Sequence, residues 1–125
     1  MAGERILIVE DNLKNRKLVR DLLQFHGYTI LEAESGEVGV QLAREHQLDL
    51  ILMDVQLPGM DGQTAMQSIK SEAHTATIPI IALTALAMRG DKERLLAAGF
   101  DGYLDKPIDI KTFPTAILRY LHKGG

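Results

Sequence analysis

Leu48-Asp49-Leu50-Ile51-Leu52-Met53 runs almost without a polar break into Asp54. Its length suits a strand rather than a helix, and its lack of apolar–polar alternation means that both faces of that strand meet apolar neighbours. A strand covered on both sides belongs inside a parallel sheet with helices above and below it. Ile6 to Val9 and Ile78 to Leu83 have the same character, which makes three central strands. Tyr28-Thr29-Ile30-Leu31-Glu32 is more mixed and Tyr103-Leu104 is very short, as expected of strands with fewer neighbours, so these two belong at the edges.

Helical patterns lie between the strands. Leu18, Val19, Leu22 and Leu23 make one apolar stripe, and Phe113, Ala116, Ile117, Tyr120 and Leu121 make another. Gly27 and Gly99 stand where a left-handed residue closes a helix, and Ser35, Asp91 and Asp109 are plausible N-caps. If Asp109 caps the last helix, Pro114 has no N–H for the Ile110 carbonyl, and the first turn should be loosened. Strand–helix alternation implies right-handed crossovers, hence an α/β fold. Its single doubly wound parallel five-stranded sheet has helices on both faces and the flavodoxin-like order 2-1-3-4-5.

The chain has 125 residues, 46% of them hydrophobic, a size that buries one core, and residues 1–125 read as a single domain with no output domain. A net charge of -3 argues against a nucleic-acid surface, which needs clustered Lys and Arg. With no cysteine there is neither a disulfide framework nor thiolate chemistry, consistent with a reducing compartment. The apolar run Ile6–Val9 is too short for a signal-peptide core or a membrane span. The expected location is the cytoplasm, with no membrane partner.

In doubly wound sheets ligands gather beyond the carboxyl ends of the strands, where the winding direction reverses between strands 1 and 3. Glu10-Asp11-Asn12, Asp54, Thr84 and Asp105-Lys106-Pro107 stand at four of those ends. Adjacent strands lie about 5 Å apart, so Glu10, Asp11 and Asp54 are forced together. Two carboxylates about 4 Å apart repel by about 4 kcal/mol at an effective dielectric of about 20, and the cluster needs a cation or a shared proton. Hard oxygens completed by backbone and water suit Mg2+. Lys106 then supplies a positive charge and Thr84 a hydroxyl donor for the outer oxygens of a phosphoryl group, with the Asp54 carboxylate as nucleophile.

Taken singly, each residue also has a structural reading. Asp11 can cap the following helix, a role compatible with metal binding. Asp54 can be a turn residue ahead of Leu57-Pro58-Gly59, Thr84 a strand-end hydroxyl, and Lys106 a solvated lysine held extended by Pro107. Their meeting at one edge of one sheet favours the functional reading. His26, His46, His74 and His122 show no metal-ligand spacing and suit surface or helix-end positions. Met53, Met60, Met66 and Met88 suit core or loop packing.

Four motifs carry a resemblance that spans nearly the whole chain: Ile6-Leu7-Ile8-Val9-Glu10-Asp11-Asn12; Asp49-Leu50-Ile51-Leu52-Met53-Asp54 with Leu57-Pro58-Gly59-Met60-Asp61-Gly62; Ala82-Leu83-Thr84-Ala85; and Tyr103-Leu104-Asp105-Lys106-Pro107. Together they resemble the receiver domains of two-component response regulators, a CheY-like fold. Thr84 through Asp91 is most similar to DivK-type single-domain regulators or the receivers of hybrid kinases. The resemblance implies that Asp54 is the phosphoacceptor and that Thr84 and Lys106 contact the phosphoryl group. It also implies that Glu10, Asp11, Asp54 and the backbone carbonyl of Gln56 surround Mg2+, and that Thr84 and Tyr103 form the switch. Many relatives have Asp where Glu10 stands, which leaves open whether Glu10 binds the metal directly or through water.

By the same resemblance the phosphoryl donor is a sensor histidine kinase or a histidine phosphotransfer protein, and the output is altered binding to a downstream protein target. The chain would then be a phosphoacceptor that promotes its own phosphotransfer and slow autodephosphorylation, rather than an enzyme. A haloacid-dehalogenase-like phosphatase would want a second Asp where Gln56 stands. A flavodoxin-like binding module would find its phosphate repelled by Glu10 and Asp11, and no G-x-G-x-x-G follows a strand to bind a dinucleotide.

Overall fold

A computed structural model describes residues 3–57, 59–85 and 89–124. Five strands alternate with five helices: β1 Arg5–Val9, α1 Leu13–Phe25, β2 Thr29–Ala33, α2 Gly36–Glu45, β3 Leu50–Asp54, α3 Gly62–Lys70, β4 Ile80–Thr84, α4 Arg89–Ala98, β5 Gly102–Asp105 and α5 Phe113–Gly124. All pairings are parallel and the order is β2-β1-β3-β4-β5, the expected one.

The unbroken apolar runs are explained by the two layers they serve. Ile6 and Ile8, Leu50 and Leu52, Ile81 and Leu83 face a core completed by Val19 and Leu23 of α1 and Phe113 and Ile117 of α5. The alternate residues Leu7 and Val9, Ile51 and Met53, Ile80 and Ala82 face Val40 and Ala43 of α2, Ala65, Met66 and Ile69 of α3, and Leu95 of α4. Period-two alternation is present in the strands but concealed, since both faces are dry. Met53 and Met66 are core residues and Met60 packs at the core margin, while Met88 lies outside the described residues.

The strand ends differ slightly from expectation. Leu48 and Ile78 are buried but precede their strands. Asp49 joins the start of β1 by side chain, with Oδ2 accepting the Arg5 N–H at 2.8 Å. Pro79 cannot donate to the ladder and offers only its carbonyl, to the Ile51 N–H at 2.9 Å. At the other end β3 and β5 extend to include Asp54 and Asp105.

Helix termini confirm some caps and correct others. Ser35 caps α2 by accepting the Val38 N–H. Gly27 has φ 93° and Gly99 φ 126°, and the backbone bonds Tyr28 N–H to Leu23 O and Phe100 N–H to Leu95 O close both helices as Schellman motifs. Asp11 is not the cap of α1, because the Asn12 side chain takes the Asn15 N–H. Asp91 lies inside α4, two residues past its start at Arg89. Asp109 closes a separate turn, its carbonyl accepting from Thr112 and Phe113, so α5 begins at Phe113. Pro114 is therefore the second helical residue, where a missing N–H breaks no bond, and the loosening expected from it does not arise. His26 and His46 are helix C-caps and His74 is exposed in a turn. Pro58, in the turn after β3, and residues 86–88, within the stretch from Thr84 to Asp91, lie outside the described residues.

Candidate functional site

The register of the central strands builds the site. Val9 pairs with Met53, so the next residue of each strand, Glu10 and Asp54, emerge side by side at the carboxyl edge. Asp54 pairs with Leu83 and Thr84 with Asp105, which brings Thr84 and then Lys106 to the same edge. Glu10 is 1% exposed, Asp54 4% and Thr84 1%, whereas Asp11 is open to solvent. Polar groups that deep need partners.

Lys106 is the principal one. Its Nζ lies 2.6 Å from Glu10 Oε1 and 2.9 Å from Asp54 Oδ2, bridging the two carboxylates. The other oxygens accept backbone donors, Glu10 Oε2 from Asn12 N–H at 3.1 Å and Asp54 Oδ1 from Gln56 N–H at 3.0 Å. Lys106 is itself placed by its own N–H, which donates to the Thr84 carbonyl at 2.8 Å. Burial, aided by the hydrogen bond that protonated Glu10 donates to Asp54 and by repulsion from Asp54, pushes Glu10 up to about 7, against the pull of Lys106 and the Asn12 N–H. For Lys106 burial acts downward, but its hydrogen bonds to Glu10 and Asp54 outweigh it and the ammonium is held above its usual range.

Glu10, Asp11 and Asp54 each offer a carboxylate oxygen, and these oxygens lie within 4.8 Å of one another. Two are buried and share one lysine, a deficit of positive charge that a divalent ion relieves. An all-oxygen set with one solvent-facing member fits Mg2+, which keeps several waters. A cavity of about 250 Å³ opens beside this cluster, lined by Glu10, Asn15 and Lys106 together with Leu18, Ala85, Pro107 and Ile108.

The structure thus brings together Glu10, Asp11, Asp54, Thr84 and Lys106. Gln56 sits two residues past Asp54 and contacts it through its N–H. Tyr103 lies on β5 opposite Ala82, half-buried against the core, with Lys92 Nζ 5.1 Å from its ring centroid. Lys92 also pairs with Asp105 Oδ2 at 3.2 Å. Three contributors escaped the sequence reading. Gly62 packs so closely that a Cβ would overlap the Asp54 carbonyl oxygen; its place in the quoted Met60-Asp61-Gly62 run was the available signal. Arg16 donates to the Glu10 carbonyl at 2.8 Å, and Lys92 reaches β5, but both are ordinary polar helix residues in sequence.

Residues 6–118 match the family described as the response regulator receiver domain. The chain is 45% identical over 116 residues to the polar-differentiation response regulator DivK of Brucella ovis, covering 93% of this chain and 94% of that one. Among solved structures it resembles the receiver domain of the sensor histidine kinase PA1611 of Pseudomonas aeruginosa, which has a magnesium ion coordinated in its active site cleft. The TM-score is 0.89 at 37% identity, covering 97% of this chain and 99% of that one. The chemotaxis response regulator CheY4 of Vibrio cholerae gives a TM-score of 0.90 at 27% identity, with 95% and 99% coverage. Among the described residues no helix is long and apolar enough to cross a membrane.

Proposed function

Because the chain belongs to the response regulator receiver domain family, the modules that carry signals in two-component phosphorelays, we propose that Asp54 is its phosphoacceptor and that Glu10, Asp11, Asp54 and the Gln56 carbonyl hold Mg2+. The observation that carries this reading is the Asp54 carboxylate itself, buried at the end of β3, oriented by Lys106 and the Gln56 N–H, and set within a three-carboxylate cluster.

An Asp54 oxygen attacks the phosphorus of a phosphohistidine on a histidine kinase or histidine phosphotransfer protein. The new P–O bond forms as the P–N bond breaks, and its electron pair returns to the imidazole. Mg2+ when bound neutralises charge on the transferring group. Lys106 already touches Asp54 and needs to release only Glu10 to follow charge onto a phosphoryl oxygen, while Thr84 supplies a neutral hydroxyl at the same edge. The same groups admit water for slow autodephosphorylation. The phosphorylated form then binds a downstream protein target differently, and we place these events in the cytoplasm, whose reducing conditions suit a chain without cysteine. Neither rival reading gains from the geometry, since Gln56 occupies the place of a phosphatase's acid and two carboxylates flank any phosphate group approaching β1.

Treatment with acetyl phosphate and Mg2+ should add one phosphoryl group by mass spectrometry, and the addition should vanish in Asp54→Asn and in excess EDTA. Full labelling of Asp54→Asn would overturn the assignment.

A further inference from the structure

Glu10 follows directly on β1, and its backbone is held from both sides. Its N–H donates to the Ala33 carbonyl at 3.0 Å, and its C=O accepts from Arg16 Nη1 at 2.8 Å. That carbonyl belongs to the peptide unit whose nitrogen is Asp11's, so its orientation fixes where the Asp11 side chain departs as well as how Glu10 enters the cluster. Arg16 is fixed in turn: its Nε donates to Glu32 Oε1 at 3.0 Å, and Arg20 Nη1 lies 3.3 Å from Glu32 Oε2. The Arg16 side chain is only 14% exposed, unusual for a cation in the first turns of a helix next to solvent. Glu32 sits on β2 opposite Ile8, so the tether runs from the sheet through Arg16 to the loop that carries both acidic residues.

We propose that Arg16 is a positioning residue for the metal-binding pair Glu10 and Asp11, acting through the Glu10 carbonyl with Glu32 as its anchor. The inference rests on the reading of Glu10 and Asp11 as metal ligands. The chemistry calls for arginine specifically. A guanidinium presents separate N–H groups in a rigid fork, one to the carbonyl and one to the carboxylate, whereas a lysine ammonium on a flexible stem does not reproduce that pair of directions. Groups that orient metal ligands typically change metal affinity by about 10–100-fold when removed. The competing explanation is a staple between α1 and β2 that matters for stability alone.

The two are separated by measuring thermal midpoint and Mg2+ affinity, the latter by calorimetry on the unphosphorylated protein, in wild type, Arg16→Lys, Arg16→Ala and Glu32→Gln. A positioning role gives Mg2+ affinity about tenfold weaker in Arg16→Ala, with smaller losses in Arg16→Lys and Glu32→Gln and a parallel shift in the Mg2+ concentration needed for acetyl-phosphate labelling. Lowered midpoints with wild-type Mg2+ affinity in all folded variants would overturn the proposal. Should Arg16→Ala not fold, Arg16→Lys, which keeps charge and most of the volume, decides alone by the same comparison. Wild type that neither binds Mg2+ nor labels at Asp54 would instead refute the metal-site reading, and this inference with it.

Discussion

Glu10 carries the largest perturbation resolved at the site, pushed up to about 7 from an ordinary 4.5 by burial and by Asp54. The folded, metal-free protein therefore holds this proton more tightly than the unfolded chain does. The resulting stability is fully present below about pH 4.5 and lost as pH rises toward about 7. Denaturation midpoints in EDTA should fall across that window in wild type and stay flatter in Glu10→Gln; equal slopes would refute the assignment. Asp11 poses the opposite case. It is exposed, and Asn12 rather than Asp11 caps α1, so Asp11→Asn should leave the thermal midpoint unchanged while weakening Mg2+ at least about tenfold, or 1.4 kcal/mol. A change in the midpoint with unaltered Mg2+ affinity would make Asp11 structural instead. That these carboxylates meet was legible in the sequence because they follow apolar strands that end at one edge of one sheet, although each alone also has a structural reading. The Lys106 bridge between Glu10 and Asp54 was not, since a contact across 96 residues depends on the whole sheet closing.

At the scale of elements, the central strands were read well because their polar residues, Arg5, Asp54 and Thr84, stand only at the strand ends and the buried run between them is unbroken. Helix starts fared worse. Asp91 and Asp109 have the chemistry of caps, but so do many polar residues, and the choice between neighbours is made by where the chain must turn to meet the sheet. α4, whose sequence is strongly polar, begins before Asp91, and α5 waits for Phe113 because that side chain enters the core. The β3–α3 connection shows how tightly such a turn is specified. Gly62 approaches Asp54 so closely that a methyl group would overlap backbone atoms of Asp54 and Val55, which cannot swing aside. At Gly102 the obstruction is the Tyr120 ring, 2.5 Å from a Cβ, a side chain rather than backbone. Gly62→Ala should destabilise the protein by about 1–3 kcal/mol, more than Gly102→Ala does, and should also slow labelling at Asp54. Denaturant titration of both variants checks the ranking, and a Gly62→Ala protein as stable as wild type would show that the turn relaxes freely.

For the whole molecule the central strands form a frame with little freedom, so a bond made at Asp54 reaches a distant surface only through groups able to adopt two arrangements. The edge strand β5 is the candidate source of them. Lys106 follows Asp105 directly, Asp105 holds Lys92 of α4, and Lys92 also lies over the ring of Tyr103. We propose that, as Lys106 turns to a phosphoryl group and Thr84 is drawn the same way, Asp105 and Tyr103 shift with them, so that the Lys92 contacts that tie α4 to β5 give way. On this reading those contacts form a latch in the unphosphorylated state. The Lys92–Asp105 pair is substantially exposed and contributes little, at most about 1 kcal/mol, and an exposed cation–π contact adds about 0.5–1 kcal/mol. Lys92→Ala should therefore favour the switched state by about 1 kcal/mol, roughly fivefold in the equilibrium. By reciprocity of linked equilibria the same factor must appear at the phosphoryl site, so beryllofluoride with Mg2+ should bind Lys92→Ala up to about fivefold more tightly than wild type. Fluorine NMR titration measures this without knowledge of any partner. Tyr103→Ala removes the ring over which Lys92 sits and should shift the affinity in the same direction by a smaller factor, while the double variant should exceed Lys92→Ala by less than Tyr103→Ala exceeds wild type, because they share one contact. Unchanged beryllofluoride affinity in Lys92→Ala would show that α4 is not latched to β5 through this side chain, and the route from Asp54 to the surface would have to be sought elsewhere.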